Sequence, residues 1–280
     1  MKRFFRQSKL NTIAAALAAV VCITALFGGL LAPVAPSKQN LAQRLHPPSA
    51  QSYFGTDDFG RDIFSRVLNG ARISLQVAVV VLSIALVVGV TVGAMAGLRG
   101  GWVDAILMRV TDIFLAFPAL IFASAISATL GGVFDPLTNA SIALSTVYWP
   151  WYARLMRGQV LTLAQQDYVT AARAMGMPTW QIIVRHMLRN SLSILLVQLS
   201  LDIGYAILYT SALSFLGLGA QRPAPEWGLM LSDSRKYVQT APWTMLYPGL
   251  ALTLTVLAFN LLGDGLRDYL DPRLRGSRRA

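Results

Sequence analysis

The chain has 280 residues, 55% hydrophobic and 13% charged, with a mean hydropathy of +0.53. That composition excludes a soluble globular domain and a disordered chain, and a lone cysteine, Cys22, excludes a disulfide scaffold. Lys and Arg number 24 against 13 Asp and Glu, a formal charge of +11; in a chain built for lipid this concerns where cations sit relative to the bilayer, not nucleic acid.

A helix needs about 20 apolar residues to cross roughly 30 Å of hydrocarbon, and six windows qualify. The first, 11–31, follows Lys2, Arg3, Arg6 and Lys9. Its apolar run is longer than the 7–15 or so residues of a secretory signal, so an uncleaved helix is expected. The second, 73–98, carries Gly89, Gly93 and Gly97 at every fourth position, which suits close helix packing. At the start of the third, 110–130, Arg109 and Asp112 stand three apart, a spacing that allows a structural ion pair. The fourth, 138–155, is interrupted by Trp149-Pro150-Trp151. The fifth, 194–216, holds Asp202, an ionisable group at membrane depth. Asp202 either faces a translocation path or hydrogen-bonds a neighbouring helix, and the sequence leaves both open. The sixth runs over 243–262.

With the N-terminus inside, inner segments hold twice as many Lys and Arg as outer ones, so both termini are expected in the cytoplasm. The basic tail, with Arg273, Arg275, Arg278 and Arg279, then reads as a topology signal that can also meet anionic lipid. The chain divides into an N-terminal helix with an outer loop, 1–72, and a helical membrane core, 73–280. The outer loop ends in GTDDFGRDIFSRVLNGARISL, and a second outer segment, 217–242, carries QRPAPEWG.

The inner loop, 156–191, is patterned like folded helices. Residues 166–175 are good helix formers with Asp167 near the start, where it suits the positive helix end. Gly176 can close that helix in the left-handed conformation, and Pro178 fits the first turn of a second one through His186. The small pair Ala171 and Ala172 would let a partner approach the backbone. Docking, or lying on the inner leaflet with Arg173, Arg185 and Arg189 as anchors, are the two readings the residues allow.

TAARAMG, then a gap and His186-Met-Leu, resembles the EAA loop of permease subunits in bacterial binding-protein-dependent ABC importers. GTDDFGRDIFSRVLNGARISL, MRVTDIFLAFPAL, ALSFLGLGAQRPAPEWGLMLSD and FNLLGDGLRDYLDPRLR resemble the peptide and nickel branch, in the subunit usually lettered C. The resemblance covers nearly all of the chain after Phe54. It implies an all-α, six-helix permease of the type I importer kind. The implied ATPase contacts are Asp167, Thr170, Ala171, Ala172, Arg173, Gly176, Met177, Arg185 and His186. It also implies a second related permease, two cytoplasmic ATPases that hold the ATP and Mg, and an extracytoplasmic solute-binding protein. Two departures stand out: Thr170 where the motif is named for Glu, and Arg189 where proline is common, which continues a helix that proline would break.

The chain carries no GxxxxGK[ST], HExxH or GxSxG, so no catalytic site is expected and the energy source is a separate protein. A secondary transporter would need a coupling-ion site and usually repeated halves, and a channel would need symmetric pore rings. His46, His186 and Cys22 are the only imidazole or thiol donors, and none has a second ligand at metal spacing. The resemblance implies dipeptides or oligopeptides as the solutes, with nickel, glutathione or another small solute as the alternative, and the scarcity of metal donors adds to the peptide side.

Overall fold

The structure is a computed structural model that describes residues 9–270. Lys2, Arg3, Arg6, Arg273, Arg275, Arg278 and Arg279, which entered the orientation argument, lie outside the described residues. Helix α1 is Lys9–Leu31 and α2 is Ile63–Arg99. A pair follows, α3 over Gly101–Leu115 and α4 over Ala119–Thr129, then α5 over Pro136–Leu163. Helix α6, Asp167–Ala174, precedes the short α7, Thr179–Ile182. A π segment, Ile183–Leu188, joins α7 to α8, Arg189–Phe215. Helix α9, Trp227–Ser234, and α10, Trp243–Leu270, complete the described residues.

The second helix begins ten residues before the apolar window, because Asp62 caps it by accepting from the Ser65 N–H at 2.7 Å. The third window is not one straight span. Pro118 supplies no N–H and blocks the preceding turn, and α3 and α4 meet at 90° across that break. Pro150, by contrast, sits inside a continuous α5. The described residues thus contain four helices long and apolar enough to cross a membrane, or five if the bent pair is one span, against the six expected. Helix α5 fails on apolarity for a structural reason: Ser141, Ser145, Tyr148 and Tyr152 are buried against other helices, not lipid.

Helices α2, α5 and α8 form the centre, where Ala78, Val81 and Ala85 meet Ala140, Leu144, Tyr152, Ala206 and Ile207. Lipid removes the hydrophobic drive for helix association, so contact depends on close backbone approach. The four-residue glycine repeat provides it: a Cβ at Gly93 would lie 2.2 Å from the Ala153 carbonyl oxygen, and one at Gly89 2.5 Å from that of Trp149. Helix α1 packs outside on α2 and α10.

Candidate functional site

Two features of the inner loop set its shape. At the end of α6 the Gly176 N–H donates to the Arg173 carbonyl at 2.9 Å and the Met177 N–H to that of Ala172 at 3.1 Å. This paired closure needs Gly176 at φ +78°, and a Cβ there would touch nothing within 4 Å, so the requirement is purely conformational. The second feature is continuity. From Thr179 to Phe215 the chain is one helical rod of 37 residues, with Arg189 inside it and no break at that position.

One face of the loop is pinned to the bundle. Val169, Ile182 and Met187 pack with Met156 and Val160 of α5 and Ala94 of α2, and half-buried Met177 joins them. Ala172 is also buried, so the small pair is split: Ala171 alone faces outward, and Ala172 is no part of an open contact surface. Asp167, Thr170, Arg173 and Arg185 are exposed, as are three large apolar side chains: Met175 (75%), Trp180 (63%) and Val184 (54%). His186 is half-buried, its ring 5.7 Å from that of Tyr168. Asn190 donates its amide N–H to the His186 carbonyl (2.6 Å) and to the Tyr168 hydroxyl (3.3 Å), which ties the two loop helices together.

Asp202 opens on no surface of the chain. It is 7% exposed, accepts from the Tyr152 hydroxyl of α5 at 2.7 Å, and accepts from the Gln198 Nε2 one turn earlier at 3.0 Å. The interhelical hydrogen bond that its sequence position allowed is present.

The expected Arg109–Asp112 pair does not form. Asp112 instead pairs at 2.6 Å with Arg154 of α5, and Asp104 takes Arg157 bidentately at 2.5 and 2.6 Å. Helix α3 lies along α5, so arginines there compete with the one on its own helix, and Arg109 stays exposed with no ion pair among the described residues. Among those residues no group of three His, Cys, Asp or Glu is placed to hold a metal ion.

The two outer motifs, read separately along the chain, form one structure. The Arg66 guanidinium is 1% exposed and donates to the carbonyls of Pro36 (3.1 Å), Pro223 (3.3 Å) and Ala224 (3.1 Å). Arg61 pairs with Asp57 at 2.6 Å, Arg222 with Asp233 at 2.6 Å, and the two guanidiniums lie 4.8 and 5.0 Å from the Phe59 ring. Glu226, fully buried, caps α9 by accepting from the Gly228 and Leu229 N–H groups and also takes the Ser211 hydroxyl of α8. Desolvation pushes its carboxyl above the usual range, against those donors. The signal was the density of alternating Asp and Arg beside Gly-Thr and Pro-Ala-Pro turns, a pattern that shows charge but not which loop answers it.

The chain matches the family described as binding-protein-dependent transport system inner membrane component over residues 89–276. Residues 1–48 match the N-terminal TM domain of oligopeptide transport permease C. The dipeptide transport system permease protein DppC of Alkalihalophilus pseudofirmus is 48% identical over 276 residues, 97% of this chain and 89% of that protein. The probable D,D-dipeptide transport system permease protein DdpC of Escherichia coli is 45% identical over 269 residues (96% and 89%). The nickel transport system permease protein NikC of the same species is 42% identical over 272 residues (97% of each). The chain belongs to the inner-membrane permease family of binding-protein-dependent transport systems: an all-α, multi-pass membrane subunit of an ABC importer, not an enzyme. A secondary transporter or a self-assembled channel is thereby set aside.

Proposed function

We propose that this permease carries dipeptides or oligopeptides inward as half of a heterodimeric path. It works beside a second related permease, two cytoplasmic ATPases that bind ATP and Mg, and an extracytoplasmic solute-binding protein. Both termini face the cytoplasm, and the loop 156–191 is the contact with an ATPase. The carrying observation is the loop's build: an inner face packed on α2 and α5, an outer face with Met175, Trp180 and Val184 exposed, and a second helix continuous with α8. Exposed large apolar side chains rimmed by Arg173 and Arg185 suit a protein groove. Displacement of α7 by ATPase closure would then pass into α8 and bias the path between inward-open and outward-open states.

The peptide assignment draws on the dipeptide permeases among the similar proteins, and nickel stands second because a nickel permease matches along almost its whole length. Gly176→Val tests the loop. Valine at φ +78° is strained by about 1–2 kcal/mol and shifts α7. The expected result is normal membrane insertion with reduced ATPase co-purification and reduced dipeptide uptake. Full co-purification and full uptake would remove the docking assignment.

A further inference from the structure

A cleft of about 600 Å³ lies between α5, α8 and α10, lined by Gln159, Asn190, Ser193, Gln198 and Arg267 among apolar side chains. Along α8 it runs from Asn190 to Leu201, about 16 Å and thus roughly half the hydrocarbon thickness, starting next to the inner loop. The side chains of Gln159 and Ser193 and the side-chain carbonyl oxygen of Gln198 have no hydrogen-bond partner among the described residues, and an acyl chain would leave them so. At the deep end the Gln198 Nε2 donates to Asp202, which Tyr152 holds from the other side. A carboxylate only accepts, so it fixes the Gln198 amide with its NH2 turned inward. The carbonyl oxygen of that amide bonds nothing among the described residues and is left to the cleft.

We infer that this cleft is the subunit's wall of the cytoplasmic half of the solute path, where Gln198 presents an oriented acceptor to the amino and amide N–H groups of a short peptide. Asp202 and Tyr152 are positioning residues behind it, and Arg267 supplies the charge complementary to a peptide carboxylate. The inference deepens the peptide-transport reading and rests on it.

The test uses the assembled complex with its partner permease, ATPases and binding protein in proteoliposomes, in a Cys22→Ser background. A water-soluble maleimide should label Ser193→Cys and Gln198→Cys about tenfold faster than Leu196→Cys, which is exposed on the outside of the bundle, because a thiol in hydrocarbon ionises poorly. Uniformly slow labelling would show that lipid fills the cleft and would overturn the inference. Gln198→Leu should lower dipeptide uptake per assembled complex about tenfold, the loss of one hydrogen bond to a charged amine. Asp202→Asn should lower it too, and the double variant should be no worse than Gln198→Leu alone. Additive losses would show Asp202 acting apart from Gln198 and would overturn the positioning role. An unsubstituted complex that takes up no dipeptide marks failure of the transport reading and of the peptide ligand, while the labelling rates still decide whether the cleft is aqueous.

Discussion

Arg66 and Arg222 belong to one cluster of charges yet should differ greatly in worth. Arg66 is 1% exposed, and its removal leaves the carbonyls of Pro36, Pro223 and Ala224 without that donor and Asp57 with Arg61 as its one close cation. An acceptor left unsatisfied where water cannot reach it costs about 1–3 kcal/mol. Arg222 has a side chain 43% exposed, where water replaces the ion pair and the cost is about 0–1 kcal/mol. In thermal unfolding of the purified complex, Arg66→Met should lower the midpoint and folded yield sharply, and Arg222→Met should barely move either. Equal effects would show that burial does not govern the cluster. Glu226 gives a pH test at the same scale. Its folded pKa is raised, so its contribution is full below the unfolded value and is lost as pH rises through the folded one. Stability of the unsubstituted chain relative to Glu226→Gln should therefore fall as pH climbs above about 4.5, the ordinary value for the group. A flat difference between the two would refute the assignment.

Between elements, the contact of α2 with α5 makes the sharpest demand on side-chain size. A leucine at position 93 starts with its Cβ 2.2 Å from the backbone of Ala153, so the two central helices must part. Overpacking of that kind costs about 1–3 kcal/mol, and backbone against backbone lies at the upper end. Gly158→Leu is the comparison, because a Cβ there meets nothing within 4 Å. Gly93→Leu should insert but lose resistance to proteolysis, and Gly158→Leu should keep it. The glycine repeat, the Gly176 closure and the helix starting near Asp167 were legible in the sequence because each is a local backbone rule. A window counted by apolarity hides the bend at Pro118, which the Phe-Pro step signals. The pairing of Asp112 with Arg154, the inward turn of Ala172 and the clamp of Tyr152 on Asp202 were not legible, since each depends on tertiary packing, and the two pairs lie 42 and 50 residues apart in the chain.

Across the whole molecule, the outer platform and the inner loop grip opposite ends of the same long helices. From Arg66 to Gly97 along α2 is about 45 Å. The rod that starts at Thr179 carries Trp180 and Val184 at the loop and Ser211, bonded to Glu226, at the platform, about 40–45 Å apart. On the proposed coupling, continuity through Arg189 lets that rod act as a lever: a force on α7 would reach the platform only if the helix between them does not bend. Arg189 and Leu192 are both exposed, so replacing them alters chain stiffness with little loss of packing. Two glycines there add about 1 kcal/mol of backbone entropy cost each, whereas two alanines favour the helix. In the reconstituted complex the Ala pair should transport like the unsubstituted chain. The Gly pair should still bind the ATPase and hydrolyse ATP, with dipeptide uptake per ATP reduced several-fold. If both pairs transport equally, the rod is not what couples the inner loop to the path. If the Gly pair instead loses the ATPase altogether, the segment serves assembly and not the transmission of movement.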